Sequence, residues 1–261
     1  MNLRDKKYFY FTQNSLNTFK TCPFRFKKKY IDNVKWQQDE SDLATERIEF
    51  GLDFHKIAER YFKNIPIYEE SFMDNEELYN AYKNLISKFP INEKNQYYPE
   101  YAIRFSNGMM RVEANIDLII VKDNGAAEIW DWKTNADVKN AKKYEMSLQT
   151  SVYMWTVKKC FKDILGVDVS AEKIKMIYFC PEKNQDIVEM LYSEEKFKKD
   201  EKTICDLIND IYEYDYNDFD KSKYIKQCKF CEFSMFCNSE ISSEVVEFKK
   251  WNLDEIEEVI L

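Results

Sequence analysis

The sequence predicts an α/β domain, with a small central mixed sheet flanked by helices. Three strand-like runs, Tyr97 to Phe105, Met109 to Val121 and Ala126 to Lys133, are joined by Ser106-Asn107-Gly108 and Lys122-Asp123-Asn124-Gly125. Asn-Gly is a strong hairpin signal, because both residues tolerate the positive φ that tight hairpins need. These three runs therefore form an antiparallel meander. Apolar stripes at helical spacing lie before and after it. Two more strand-like runs, Lys173 to Cys180 and Asp186 to Tyr192, are joined by Pro181-Glu182-Lys183-Asn184-Gln185.

Composition sets the outer limits. A chain of 261 residues can bury a sizeable core. With four glycines and five prolines it has little material for a long flexible linker. No apolar run reaches membrane-spanning length and Met1 to Lys7 leads into no apolar signal core, so a cytoplasmic protein is expected. The net charge of −8 argues against non-specific wrapping of nucleic acid. It leaves room for a local basic groove that neutralises a few phosphates. Seven cysteines in a reducing compartment suggest metal ligation or buried thiols rather than disulfides.

Taken in order, Asn14 or Ser15 can cap a helix beginning at Leu16, and Pro23, directly after Cys22, suits the first position of a second helical turn. Phe24 to Tyr30 interleaves aromatics with Arg25, Lys27, Lys28 and Lys29, which is either a solvated basic face or a nucleic-acid contact. A helix from about Asp39 to Asn64 buries Phe50, Phe54, Ile57, Ala58, Tyr61 and Phe62. It carries His55, the only histidine, one turn after Gly51, and a glycine inside a helix usually means that something approaches the backbone closely. Asn75 to Lys88 is a packing helix. Asn140 to Cys160 is a long helix with Gln149 and Tyr153 four apart on one face. Ser193 to Tyr214 is a charged amphipathic helix, and the segment from Glu240 onward is acidic and weakly helical.

Two patterns carry chemistry. In the strand ending Ile129-Trp130-Asp131-Trp132-Lys133-Thr134, residues two apart share a face. Trp130 and Trp132 point to one side, while Asp131 and Lys133 point to the other as either a solvated face or a reaction centre. Asp117 stands mid-strand among Ile116, Leu118, Ile119 and Ile120, where a carboxylate needs a cation or hydrogen-bond donors to be buried. The second pattern is Cys228, Cys231 and Cys237, three cysteines within ten residues, two of them in C-x-x-C. This is metal-ligand spacing that needs a fourth thiolate from Cys22, Cys160, Cys180 or Cys205, and spacing alone leaves zinc and an iron–sulfur cluster equally open.

These motifs together resemble the RecB-type branch of the PD-(D/E)xK nuclease superfamily, and within it the iron–sulfur members: the CRISPR-associated RecB-like exonucleases and the nuclease domain of AddB. The resemblance runs in order through Ser15, Leu16, Phe19, Cys22, Pro23, Phe24 and Phe26, then Gly51 to His55, then Arg111-Val112 leading to Ile116-Asp117. It continues through Asp131-Trp132-Lys133-Thr134 and Gln149 with Tyr153, and ends at the cysteine triplet. There are departures: Leu16 follows Ser15 directly, Glu113-Ala114-Asn115 replaces the usual glycine, and Asp131 stands where Glu is more frequent.

The resemblance implies a restriction-endonuclease-like core spanning residues 1–240, with a helical N-terminal lobe and a C-terminal cysteine-cluster segment, followed by an acidic tail over 241–261. It implies a DNA nuclease, acting as an exonuclease on single-stranded ends, in recombination, repair or CRISPR adaptation as part of antiviral defence. The alternative is a catalytically silent DNA-end-binding or partner-docking subunit. His55, Asp117, Asp131 and the Trp132 carbonyl would hold Mg2+ or Mn2+, with Glu100 as an extra acidic residue near the metal. Lys133 would orient water or neutralise charge, and Gln149 and Tyr153 would position the phosphate or strand. Cys22 becomes the fourth ligand with Cys228, Cys231 and Cys237, and a [4Fe–4S] cluster is favoured over Zn2+. Partner proteins of a recombination or CRISPR-adaptation complex are the expected company.

Overall fold

The computed structural model describes residues 3, 9–35, 42–72, 75–134, 141–182, 186–228 and 231–237. Five strands form one sheet in sequence order: β1 (Gln96–Asn107), β2 (Met110–Val121), β3 (Ala127–Trp132), β4 (Ile174–Phe179) and β5 (Ile187–Leu191). The first three are an antiparallel meander, β3 and β4 are parallel, and β5 returns antiparallel, so the sheet is small and mixed as expected. Gly108 and Gly125 take positive φ at the two Asn-Gly turns. The parallel step needs a crossover, supplied by α5 (Ala141–Glu145) and α6 (Leu148–Leu165).

The sheet has a helical layer on each face. On one side α1 (Gln13–Thr21), α6 and α7 (Glu194–Glu213) pack Leu16, Val152, Trp155, Ile204 and Ile208 against Ile103, Ile119, Ile129 and Met176. On the other, α3 (Asp42–Phe62) and α4 (Glu76–Lys88) pack Phe50, Phe54, Ala58, Phe62, Leu78 and Leu85 against Leu118, Ile120, Trp130 and Trp132. Among the described residues, no helix is long and apolar enough to cross a membrane.

Three local expectations are corrected. The first helix begins at Gln13, and Thr12 is its cap instead of Asn14 or Ser15. Ser15 falls at the third helical position, where its hydroxyl accepts the Thr12 N–H while the Thr12 hydroxyl accepts the Ser15 N–H, a reciprocal box worth more than either bond alone. The long helix expected over Asn140 to Cys160 is two, because Ser147 takes extended backbone and accepts the Thr150 N–H as a new cap. The aromatic-basic segment Phe24 to Tyr30 presents no open basic face among the described residues, as shown below. The segment from Glu240 onward lies outside the described residues.

Two strands depart from strict alternation at one place. On β2, Val112, Ala114 and Ile116 face the α6 layer, and so do Ile119 and Val121. The alternation therefore slips across Asp117. On β1, Tyr101, Ile103 and Phe105 face that same layer together with Tyr98, while Tyr97 faces the other. The slip here falls at Glu100, whose φ is +48. The register pairs Tyr101 with Ile116 and Pro99 with Leu118, so Glu100 and Asp117 lie side by side between those pairs.

Candidate active site

β2 and β3 part company at Asp117. Their pairing ends at Leu118 opposite Trp130, and continuing that register by one residue sets Asp117 opposite Asp131. Beyond this fork the vacated edge of β2 is taken by the N-terminal segment: the Phe11 N–H donates to the Arg111 carbonyl at 2.8 Å and the Glu113 N–H to the Phe11 carbonyl at 2.9 Å. At the fork itself Asp117 Oδ2 accepts the Trp132 N–H at 2.7 Å, a donor the departing strand would otherwise leave unpaired. Asp117 is thus buried with a partner, which answers the burial question its apolar strand poses.

α3 brings His55 over the fork. Its Nδ1 lies 3.3 Å from Glu100 Oε1 and 3.6 Å from Asp117 Oδ1. Ligand atoms of His55, Glu100 and Asp117 all fall within 4.8 Å of one another, an arrangement that could hold a metal ion. The approach of α3 depends on Gly51, one turn before His55: a Cβ there would stand 3.0 Å from Thr134 Oγ1. Thr134 is buried directly after Lys133, so the glycine lets the helix close on the end of β3.

Charge is concentrated here. Burial pushes the Asp117 carboxyl up to about 8; the His55 charge opposes this, and Asp131 and Glu100 add to it. Burial alone would lower His55, but Asp117, Glu100 and Asp131 outweigh it and hold the imidazole at about 9. The two carboxylates Glu100 and Asp117 beside one imidazole are a donor set of hard oxygens and one nitrogen, suited to a small divalent cation.

Behind the fork stands a second polar group. Asp131 is 1% exposed and Lys133 3%, with Lys133 Nζ 2.9 Å from Asp131 Oδ2. Gln149, near the start of α6, bridges them: its Nε2 donates to Asp131 Oδ1 at 2.6 Å and its Oε1 accepts from Lys133 Nζ at 3.2 Å. Lys133 Nζ also lies 5.6 Å from the Tyr178 ring centre, on the neighbouring β4. Tyr153 is only 1% exposed, and burial first, then Asp131 and Asp117, hold its phenol neutral, well above its ordinary value. The structure therefore sets Tyr153 behind Gln149, away from solvent.

The structure divides the expected residues into two adjoining groups: His55 and Asp117 at the fork, and Asp131, Lys133 and Gln149 with Tyr153 behind it; Trp132 contributes its backbone N–H to Asp117 while its ring packs in the opposite layer. Glu100 joins them more closely than its sequence suggests, because its left-handed backbone turns it toward His55. Gln13 had no sequence signal at all, and its Nε2 lies 3.4 Å from the Tyr153 hydroxyl.

Cys22, Cys228, Cys231 and Cys237 lie in one region of the molecule, but among the described residues no three of their sulfurs come as close together as the ligand atoms of His55, Glu100 and Asp117. Cys22 occupies the break between α1 and α2 (Pro23–Phe26). Burial raises the thiols of Cys22, Cys231 and Cys237, and Cys22 in turn is felt by Cys231 and Cys237, and Cys228 by Cys22 and Cys237. Cys160, Cys180 and Cys205 do not enter this group: Cys160 is raised to about 11 by burial and Asp163, and Cys205 Sγ lies 3.4 Å from Met110 Sδ. The basic run beside Cys22 is spent on the same junction. Arg25 makes a two-pronged pair with Glu232 at 2.9 and 3.2 Å, and Lys28 Nζ lies 5.6 Å from the Phe236 ring centre. Lys27 and Lys28 also pair with Asp32, and burial lowers Lys29. These cations hold the protein to itself, in place of the open basic face that was one reading of the sequence.

The sequence profile described as the PD-(D/E)XK nuclease superfamily matches residues 10–238. In structure the chain is similar to SSO0001, at 16% identity and TM-score 0.42, covering 90% of this chain and 89% of that one. It is also similar to an Eubacterium rectale protein provisionally described as an exonuclease, at 13% identity and TM-score 0.48, covering 94% and 96%. Comparison of the sequence with curated proteins gives no match.

Proposed function

The chain belongs to the PD-(D/E)XK nuclease superfamily, and on that premise we propose that it hydrolyses DNA with a bound divalent cation, as an exonuclease on single-stranded ends. One observation carries the proposal: Asp117, Asp131, Lys133 and His55, from three separate elements, meet where β2 and β3 part. A packed core has no use for two facing carboxylates, an ammonium and an imidazole at that point.

His55, Glu100 and Asp117 offer ligand atoms close enough to hold Mg2+ or Mn2+; Asp131, paired with Lys133 and Gln149, and the Trp132 carbonyl would complete the set on the ion's arrival. When bound, such an ion lowers the pKa of water and offsets the negative charge that builds on the phosphate. Lys133 supplies fixed positive charge beside the same phosphate, either orienting the attacking water or neutralising the oxygens. Held by Asp131 and Gln149 and nearly shut off from solvent, its ammonium acts where charge is weakly screened. Gln149 sets the plane of the Asp131 carboxylate, because it donates to one oxygen while Lys133 takes the other.

We further propose that Cys22, Cys228, Cys231 and Cys237 bind a [4Fe–4S] cluster, as in the RecB-type iron–sulfur branch, with zinc as the alternative. Buried Cys22, the half-buried Cys228, Cys231 and Cys237, and the Arg25–Glu232 pair beside them support a clamp joining the two ends of a single domain over 1–240. Its role would be structural. Purified protein decides the metal: a brown solution with iron supports the cluster, and a colourless one with zinc replaces it.

The nuclease proposal is tested with end-labelled single-stranded DNA and Mn2+, comparing the protein with Lys133→Ala. Mononucleotide release that is lost in Lys133→Ala is the expected result. Undiminished cleavage in the variant would remove Lys133 from the mechanism, and binding of DNA ends without cleavage by either would favour a silent end-binding subunit.

A further inference from the structure

We infer that Gln13 is a positioning residue of the active centre, coupling the cysteine-bearing helix α1 to Gln149 and through it to Asp131 and Lys133; the inference rests on the nuclease proposal above. Gln13 is the first residue of α1 and only 6% exposed, in a layer whose core is mainly apolar. A buried amide loses its water hydrogen bonds, and a leucine would fill such a place without that penalty. Its Nε2 points to the Tyr153 hydroxyl at 3.4 Å. Tyr153 stands one helical turn after Gln149 on the same face of α6, and Gln149 holds both Asp131 and Lys133.

Gln13 itself is fixed from both sides. Immediately before it, Phe11 is bonded through its backbone to β2 at Arg111 and Glu113, and Thr12 is locked by the reciprocal box with Ser15. At the far end of the same helix stands Cys22. A helix held at the fork and at the cysteine centre therefore sends one polar side chain into the layer that orients the catalytic carboxylate. A small displacement of α1 would be passed to Asp131 as a change in orientation, without change in what the site contains. Reaction rates are sensitive to shifts of that size.

The test is a double-mutant cycle. Gln13→Met keeps the length and loses the donor, and Tyr153→Phe removes the hydroxyl. On single-stranded DNA with Mn2+, Gln13→Met should lower kcat about tenfold with KM unchanged. In the Tyr153→Phe background the same change should do nothing further. A kcat equal to that of the unsubstituted protein, or a loss that multiplies fully with that of Tyr153→Phe, overturns the inference. Failure of the unsubstituted protein to cut DNA would instead count against the nuclease proposal. The coupling can be read without cleavage from the Gln149 side-chain amide resonances, identified by their disappearance in Gln149→Glu. They should move in Gln13→Met and not move again when it is added to Tyr153→Phe; resonances unmoved by Gln13→Met overturn the inference whether or not DNA is cut.

Discussion

The fork and the cysteine centre are built on opposite plans. At the fork every polar group is delivered by a long element and held by a second one: Asp117 by the Trp132 N–H, Asp131 by Gln149 and Lys133, His55 by Glu100. The cysteines sit on short pieces. Cys22 lies in the break between α1 and α2, and the others on or between α8 (Ile225–Cys228) and α9 (Ser234–Cys237), each of four residues. Helices that short are unstable by themselves. Among the described residues, Arg25 to Glu232 and Lys221 to the Cys237 carbonyl at 2.9 Å tie them to the rest of the chain. A preorganised site should lose chemistry and keep its fold when altered, whereas a ligand-organised one should lose its fold first.

The sharpest way to break this contrast is at Lys133. Lys133→Ala should lower kcat/KM on single-stranded DNA by about a thousandfold, the scale for removing a fixed charge from a transition state. Asp131 keeps the Gln149 amide as its donor, so the circular dichroism spectrum should be unchanged. Loss of the folded spectrum along with activity would show that the fork is not self-supporting.

Cys231→Ala probes the other plan. A metal clamp through the four cysteines would close a loop of about two hundred residues, and the chain-entropy estimate for such a loop is on the order of 5 kcal/mol. The variant should lose iron and visible colour together and melt about 10 °C or more lower. A colourless variant that melts where the parent does, with activity intact, would make the cysteines incidental.

Smaller in size is the effect expected at Glu100. If it helps hold the cation, Glu100→Gln should weaken Mn2+ binding about tenfold, or about 1.4 kcal/mol, because the neutral amide is a poorer ligand for a hard cation. Titration calorimetry on the metal-free proteins reads this directly. Equal affinities would confine the metal-holding set to His55, Asp117 and Asp131.

The strands, the helical layers and most of the site were legible because they rest on local signals. Alternation with Asn-Gly turns gave the meander, and the aspartates and Lys133 stood out as charges in apolar strands. What stayed hidden depends on partners far away in the chain. Arg25 and Lys28 look like a nucleic-acid face in sequence because Glu232 and Phe236, which engage them, are about two hundred residues distant. Gln13 is a polar residue at a helix start, a place where polar residues are ordinary. Glu100 gave little sign because its value lies in a left-handed backbone at the sheet's slip, which no residue type announces.

Gly51 was the one long-range contact the sequence did announce, and it yields the smallest prediction. Replacing it with alanine should gain about 1 kcal/mol of helix propensity. Against this, the new Cβ meets Thr134 Oγ1 at 3.0 Å, and Thr134 is buried with little room to turn. Overpacking of that kind costs about 1–3 kcal/mol, so Gly51→Ala should be destabilising by about 1 kcal/mol net. The displaced groups are the end of β3 and, one turn along α3, His55. Cleavage should therefore fall severalfold through the displacement of His55 from Glu100 and Asp117. Thr134→Ala removes the obstructing oxygen, and adding it to Gly51→Ala should restore the melting temperature, the two changes being strongly non-additive. If Gly51→Ala raises stability by its full propensity gain, α3 has slack at the fork, and the site is less tightly preorganised than its hydrogen bonds suggest.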